Sequence, residues 1–354
     1  MKAGARMSQR EPTKLGYLFA LSRTPHAVLD LATPFLTATL WLGGIPQLRV
    51  VLLGLGTAFA AYTAVYALND LVDFGRDRRR LAAGCPDPEG DLDASLMLHP
   101  MAQGCLTYRD AVIWTAAWAA AAITGAYLLH PLCALIFAAA CLLETAYCML
   151  ADVTPLRTVI AGVVKSSGPL AAIIAVDPTP AAGRFVIFFA WLALWEIGGQ
   201  NIPNDWADVP EDRSAGLRTV PVAAAPRLVA GITCGALCGT VVLSTLLPPA
   251  GLQFSLTTGS PAVQIAYLLG VMAAGAYFLL LPAAKLAGTA WALAAADTTA
   301  PATGTVIGNE GGALWTASPL RRATLFLFNR ASYYPLVLLA LVVVCTEIAA
   351  AIGL

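Results

Sequence analysis

Charge is what this sequence lacks. Only 12% of its 354 residues are Asp, Glu, Lys or Arg, and 58% are hydrophobic. A soluble domain carries about 25% charged residues, so the scarcity excludes a soluble globular protein. Lys and Arg total 21, as do Asp and Glu. The zero net charge by itself says nothing about nucleic acid, which is not among the expected partners. Histidine is rarer still. His26, His99 and His130 stand far apart, which argues against a histidine-based metal centre. The eight cysteines show no CxxC spacing and fall mostly in apolar blocks. They read as small buried hydrophobes rather than a disulfide framework or a zinc site. The basic N-terminal segment has one early apolar run, broken by Arg23, which speaks against a cleaved signal peptide.

Apolar length is abundant. Nine blocks, at 24–45, 49–69, 111–129, 131–150, 158–176, 184–203, 227–247, 262–282 and 333–353, are long enough to cross about 30 Å of hydrocarbon. Their alanines and glycines allow close helix packing where water supplies no drive to associate. The expected fold is all-α: an integral membrane bundle of nine transmembrane helices, forming one domain over residues 1–354. Within it we expect a basic cytosolic arm at 1–23, motif-bearing cytosolic segments at 70–110 and 204–226, and a long cytosolic loop at 283–332. On this topology 18 of the 21 Lys and Arg fall on one side; only Arg49 and Arg184 face the other, and Lys165 lies within the fifth block. The positive-inside rule then places the N-terminus in the cytoplasm and the C-terminus across the cell inner membrane.

The acids repeat. The second block ends in NDLVDFGRDR and the sixth in NDWADVPEDR, so Asn69, Asp70, Asp73, Asp77 and Arg78 match Asn204, Asp205, Asp208, Asp212 and Arg213 at identical spacing. Both follow even-numbered helices and share one membrane face, as an internal repeat. Residues four apart share a helix face, so Asn69, Asp73 and Asp77 should project together, as should Asn204, Asp208 and Asp212. Pro210 is expected to end or bend the second helix. Clustered carboxylates repel unless a cation joins them, and an all-oxygen set suits Mg²⁺, which completes its shell with water and substrate phosphates. Two facing clusters would hold Mg²⁺ ions bridging a diphosphate.

These paired motifs resemble those of the UbiA superfamily of intramembrane prenyltransferases. The first motif matches in full and the second through Asp208 and Asp212, with the similar tail DRSAGLRTVPV; HPMAQGCLTYRDA at 99–111 is similar to a further family segment. The resemblance implies a helical bundle with a central cavity capped on the cytosolic side. It implies two Mg²⁺ ions bridging an isoprenyl diphosphate donor, held by Asn69, Asp73, Asp208 and Asp212. Asp70, Asp77 and Asp205 would then act around the metals or on the acceptor. Arg23 matches a basic position of the family and is a candidate diphosphate contact. Two departures stand out: Ala151 follows Tyr147 where many members have Lys, and His99 replaces an Arg. Lys165 and Arg157 are candidates for the missing charge, or simply snorkelling cations.

Other polar residues bear on the same site. Glu196, with Gln200 and Glu144, is an intramembrane group expected to face a cavity, and Glu196 is a candidate to line the acceptor pocket or take its proton. Tyr66 and Tyr147 are candidates to face an allylic cation. Arg78, Arg213 and Arg218 are alternative phosphate contacts. The function so implied is Mg²⁺-dependent transfer of a polyprenyl group to a small aromatic acceptor, such as a hydroxybenzoate or naphthoate, in quinone or related lipid biosynthesis. Ether-lipid prenyl transfer, phosphoribosyl transfer to polyprenyl phosphate and terpene cyclisation remain open, as does a secondary transporter. Oligomeric state is not legible.

Overall fold

The computed structural model describes residues 13–82, 96–247, 261–299 and 318–351. The first twelve residues of the basic arm, the acidic stretch at 83–95 and the loop centre at 300–317 lie outside them. Among the described residues there is no strand, and the all-α expectation holds. Two short helices, α1 (Lys14–Leu21) and α2 (Thr24–Asp30), lead into α3 (Ala32–Leu42). Seven long helices follow, interrupted by two short ones: α4 (Leu48–Ala82), α5 (Tyr108–Leu129), α6 (Pro131–Met149), α7 (Arg157–Val176), α8 (Ala182–Ala207), α9 (Val209–Ser214), α10 (Val220–Ala223), α11 (Pro226–Thr245) and α12 (Pro261–Ala295). The chain closes with α13 (Pro319–Ala351).

Eight of these helices are long and apolar enough to cross a membrane, so the expected count of nine is not met by unbroken helices. The block at 24–45 divides into α2 and α3 at Leu31. Pro34 has no N–H for the Asp30 carbonyl four residues earlier, and the Thr33 hydroxyl donates to that carbonyl instead at 2.8 Å. The expected loop at 283–332 is largely helical: residues 283–299 continue the α12 helix and 319–332 begin α13. The Ala-rich run AKLAGTAWALAAADTT carries high helix propensity. Cations hold the two extensions together, with Lys285 over the Phe326 ring at 4.7 Å and Arg330 over Tyr277 at 4.1 Å.

Two prolines shape the core around the future site. Pro203 deprives the Gly199 carbonyl of its helical partner, and the Gln200 side-chain amide donates to it at 3.0 Å. The backbone here widens into a π turn, Glu196–Asn201, which re-aims the side chains of α8. Gly198 lets this turn approach α11, because a Cβ there would lie 2.8 Å from the Ala236 Cβ. Pro335 likewise frees the Ala331 carbonyl, and the Trp195 indole N–H fills the vacancy at 3.0 Å. Apolar side chains from α3, α7, α8 and α11–α13 form one continuous core, with Phe188, Trp191 and Tyr334 almost fully buried. A smaller cluster of Leu21, Ala67, Met101 and Leu106 seats the 98–106 segment against α1 and α4, over the acidic end of α4.

Candidate active site

Helix α4 runs unbroken through the first motif to Ala82, so every acid of that motif sits on a helix. The expected grouping of Asn69, Asp73 and Asp77 is only partly realised. Eight residues turn a helix through about 80° past full turns, whereas seven return it to within about 20°. Asn69 and Asp73 therefore face α6, while Asp70 pairs with Asp77. The Asn69 amide nitrogen donates to Glu144 Oε1 at 2.7 Å and to Cys148 Sγ at 3.3 Å. Arg76 lies 2.5 Å from Asp73 Oδ1 and donates to the Cys148 carbonyl at 3.1 Å.

Asp70 and Asp77 are buried and meet His99, whose Nδ1 is 3.5 Å from Asp70 Oδ1 and 3.0 Å from Asp77 Oδ2. Burial would pull the His99 imidazole down, but the two carboxylates outweigh it and push it up to about 10. The ring therefore carries its proton at neutral pH, and the contact is an ion pair. Arg23 Nη2 also reaches Asp70 Oδ1, at 3.7 Å. Among the described residues, Arg23 and His99 are the two non-glycines with positive φ, at 45° and 48°. Left-handed backbone costs such residues about 1–2 kcal/mol. Both strained positions aim a cation at the same carboxylate, as strain concentrated at a functional site would.

The second motif is split by a bend. Asn204 and Asp205 lie on the last turn of α8, Asp208 (φ −106°) is the N-cap of α9, and Asp212 lies within α9. The bend that Pro210 led us to expect thus comes at Asp208, and Asn204, Asp208 and Asp212 do not share one continuous helix face. Asp205 and Asp212 are buried, and Asp208 is half-buried. The Leu217 N–H donates to the Asp212 carbonyl, and the Arg218 N–H to that of Ala151, tying the motif's tail to the loop after α6.

Arg157 joins the two motifs. Its buried guanidinium donates to Asp205 Oδ1 at 3.1 Å, lies 4.6 Å from the centroid of the Tyr147 ring, and is within electrostatic reach of Asp212 and Asp73. The Tyr147 hydroxyl in turn accepts from Asn201 at 2.9 Å. Arg157 is thus a cation beside Tyr147 in a chain whose position 151 is a buried alanine.

Asn69 and Asn204, one from each motif, line a single cavity of about 260 Å³. Its wall on α4 extends from Asn69 down to Val50, about 28 Å at 1.5 Å per residue. The far end is apolar, with Pro46, Leu129 and Val176. Nearer the acids, the wall carries Arg23, Tyr66, Tyr147, Lys165 and Glu196. Lys165 is held 2.5 Å from Asp30 Oδ2 and 2.8 Å from the Tyr66 hydroxyl, which itself donates to Asp30. Arg78, Arg213 and Arg218 are exposed and form no part of the wall.

Among the described residues, the acidic and imidazole ligand atoms that converge within 4.8 Å are those of Asp70, Asp77 and His99; Asp73, Asp208 and Asp212 do not gather so tightly. The donor types around the cavity mouth nevertheless suit Mg²⁺. With the Asn69 amide nitrogen engaged by Glu144, its carbonyl oxygen is the atom left to accept, the kind of hard donor that Mg²⁺ favours. The sequence marks Arg157, His99 and Glu144 as polar groups near the motifs without assigning them to the site, and Asp30 is left out of it. Each carries its signal as an ionisable group in or beside an apolar block.

A helical membrane bundle with a long apolar cavity, rimmed at one end by two copies of an Asn/Asp motif, is the architecture of an intramembrane binding or catalytic protein. The chain belongs to the UbiA prenyltransferase family, whose sequence model matches residues 31–295. Three solved structures share its fold. The apo UbiA homologue of Aeropyrum pernix K1 is 18% identical, with a TM-score of 0.61, over 90% of this chain and 97% of that one. A UbiA homologue of Archaeoglobus fulgidus, bound to DMAPP and Mg²⁺, is 16% identical with a TM-score of 0.57, over 91% and 98%. A digeranylgeranylglyceryl phosphate synthase is 15% identical with a TM-score of 0.57, over 95% and 98%. At these identities the likeness is one of fold. No curated protein matches the sequence.

Proposed function

We propose that this protein transfers a prenyl group from an isoprenyl diphosphate to a small aromatic acceptor, inside the membrane and at its cytosolic face. The observation that carries the reading is that Asn69 and Asn204, from motifs 135 residues apart, line one cavity whose other end is apolar. Such a cavity suits a ligand with a diphosphate head and a hydrocarbon tail. The Archaeoglobus homologue bound to DMAPP and Mg²⁺ supports the same assignment.

Asn69, Asp73, Asp208 and Asp212 would hold Mg²⁺, which supplies charge stabilisation to the departing diphosphate. Arg23 and Arg157, already directed at the acids, add positive charge beside the diphosphate. The apolar wall from Val50 to Val176 holds the tail and excludes water. The rings of Tyr62, Tyr66 and Tyr147 border the region where the allylic carbon becomes electron-poor, and their faces favour a cation. The aromatic acceptor supplies the electron pair and loses a proton. Arg78, Arg213 and Arg218, exposed on the same ends, contribute surface charge that draws in an anionic donor.

Purified protein given Mg²⁺, geranylgeranyl diphosphate and a panel of phenolic acceptors should yield a prenylated phenol by mass spectrometry. A prenylated glycerol phosphate or a phosphoribosylated lipid from parallel panels would move the assignment to that reaction. A hydrocarbon formed with diphosphate release and no acceptor would mark a cyclase. No product and no diphosphate release from any donor would overturn the reading.

A further inference from the structure

The cavity wall is short of available cations and rich in unpartnered oxygens. Its two cationic side chains each contact a carboxylate, Arg23 on Asp70 at 3.7 Å and Lys165 on Asp30 at 2.5 Å, and the His26 ring lies 3.8 Å from Asp30 as well. Two more carboxyl groups, Glu144 and Glu196, stand in the same wall. Glu144 accepts from Asn69. Glu196 is 9% exposed, and its Oε2 is buried with no hydrogen-bond partner among the described residues. Asn201, one helical turn further along the π turn, donates to Tyr147 but leaves its own buried Oδ1 without a partner. A buried acceptor left without a donor is destabilising. Both oxygens therefore call for a ligand that donates.

The surroundings define the shape of that ligand. Glu196 lies eight residues before Asn204 on α8, about 12 Å further into the membrane along the axis. Beside it the wall presents the rings of His26, Tyr66 and Phe328; His26 lies 5.8 Å from each of the other two, centroid to centroid. The charged groups that act on Glu196 are Lys165, Asp30, His26 and Glu144, so two of its four neighbours are acids. A flat ring fits among these side chains. A carboxylate on that ring would enter a wall whose cations are committed and whose remaining acids repel it.

We propose that Glu196 is the acceptor-recognising residue of this site, and that the acceptor is an uncharged hydroxylated ring with no carboxylate, whose hydroxyl donates to Glu196 Oε2. The inference rests on the prenyl-transfer reading and narrows its acceptor class, setting hydroxybenzoates and naphthoates aside. In the reaction, the C1–O bond of the allylic diphosphate breaks with its electron pair on the diphosphate. A bond forms from the acceptor to C1, and the acceptor's displaced proton passes to the Glu196 carboxylate and then to water.

The test is equilibrium binding by calorimetry of a matched pair, 4-hydroxybenzoate and its methyl ester, which share a ring and a hydroxyl but differ in charge. Wild-type protein should bind the ester at least about tenfold more tightly, the ratio that about 1.4 kcal/mol represents. Glu196→Leu should weaken the ester at least about tenfold. Glu196→Gln, which keeps the shape and a carbonyl oxygen, should lose less and should narrow the gap between ester and acid. Equal or tighter binding of the acid by wild type, no binding of either, or unchanged ester affinity in Glu196→Leu would each overturn the proposal. Mg²⁺-dependent binding of geranyl thiolodiphosphate to the wild-type protein reports separately on the donor site. Its loss would sink the prenyl-transfer reading, and its presence beside a failed phenol test would sink the acceptor assignment alone.

Discussion

Replacing Arg157 with methionine removes a side chain that touches both Asp205 and the Tyr147 ring. Asp205 is 5% exposed and loses its 3.1 Å contact with the guanidinium. Breaking one side of a buried pair costs about 3–5 kcal/mol, because the remaining charge stays desolvated. The contact with the Tyr147 ring, 4.6 Å away, adds about 0.5–2 kcal/mol. Arg157→Met should therefore lower stability by about 4–7 kcal/mol, measured by denaturation in mixed detergent micelles. Asp205→Asn in the same chain should restore a large part of that loss, because it removes the buried charge that Arg157 had offset. The double-mutant cycle should give a coupling of at least about 2 kcal/mol. A single-variant cost below about 1 kcal/mol, or strict additivity, would show that Arg157 does not join the motifs through Asp205.

Three further outcomes follow from the packing. His99 has its folded-state pKa raised to about 10 by Asp70 and Asp77, so its contribution is complete below about pH 6.5 and fades as pH rises towards 10. His99→Gln should flatten the decline in stability over that window, and an unchanged pH profile would refute the ion pair. Gly198→Ala places a methyl 2.8 Å from the Ala236 Cβ and 3.1 Å from the Thr233 carbonyl. It should cost about 1–3 kcal/mol, and a neutral result in the same denaturation assay would mean that α8 and α11 are not so close. Trp195→Phe leaves the Ala331 carbonyl unpaired and should cost about 1–3 kcal/mol. Adding Pro335→Ala supplies the missing backbone N–H and should recover part of it; no recovery would dissociate the two residues.

Much of this fold was legible because hydrophobic length needs no partner to be read. Eight long helices coincide with apolar blocks, and the repeat of Asn69–Asp77 at Asn204–Asp212 marked both walls of one cavity. The break at Leu31 was harder to see. Pro34 announced it, but the rescue of the Asp30 carbonyl by Thr33 is a three-dimensional matter. The sequence reads 283–332 as one loop from its Ala/Thr/Gly-rich centre, and the helices on either side of 300–317 are hidden by that composition. The cations of Lys285 and Arg330 lie on aromatic faces of the neighbouring helix. Within the first motif, four-residue spacing favoured Asp77 beside Asn69. The seven-residue return that pairs it with Asp70 becomes visible only with His99 in place. Arg157 was one cation among several in the sequence, and its distinction is that the chain returns it to Asp205, 48 residues on.

Both acidic motifs serving one ligand is the claim on which the rest depends. Mg²⁺-dependent binding of geranyl thiolodiphosphate tests it most directly, measured on wild type and on Asp73→Ala and Asp208→Ala separately. The expected result is tight binding with Mg²⁺ by wild type, and at least about a hundredfold loss in each variant while the protein stays folded. Undiminished binding by either variant would contradict a site shared between the two motifs.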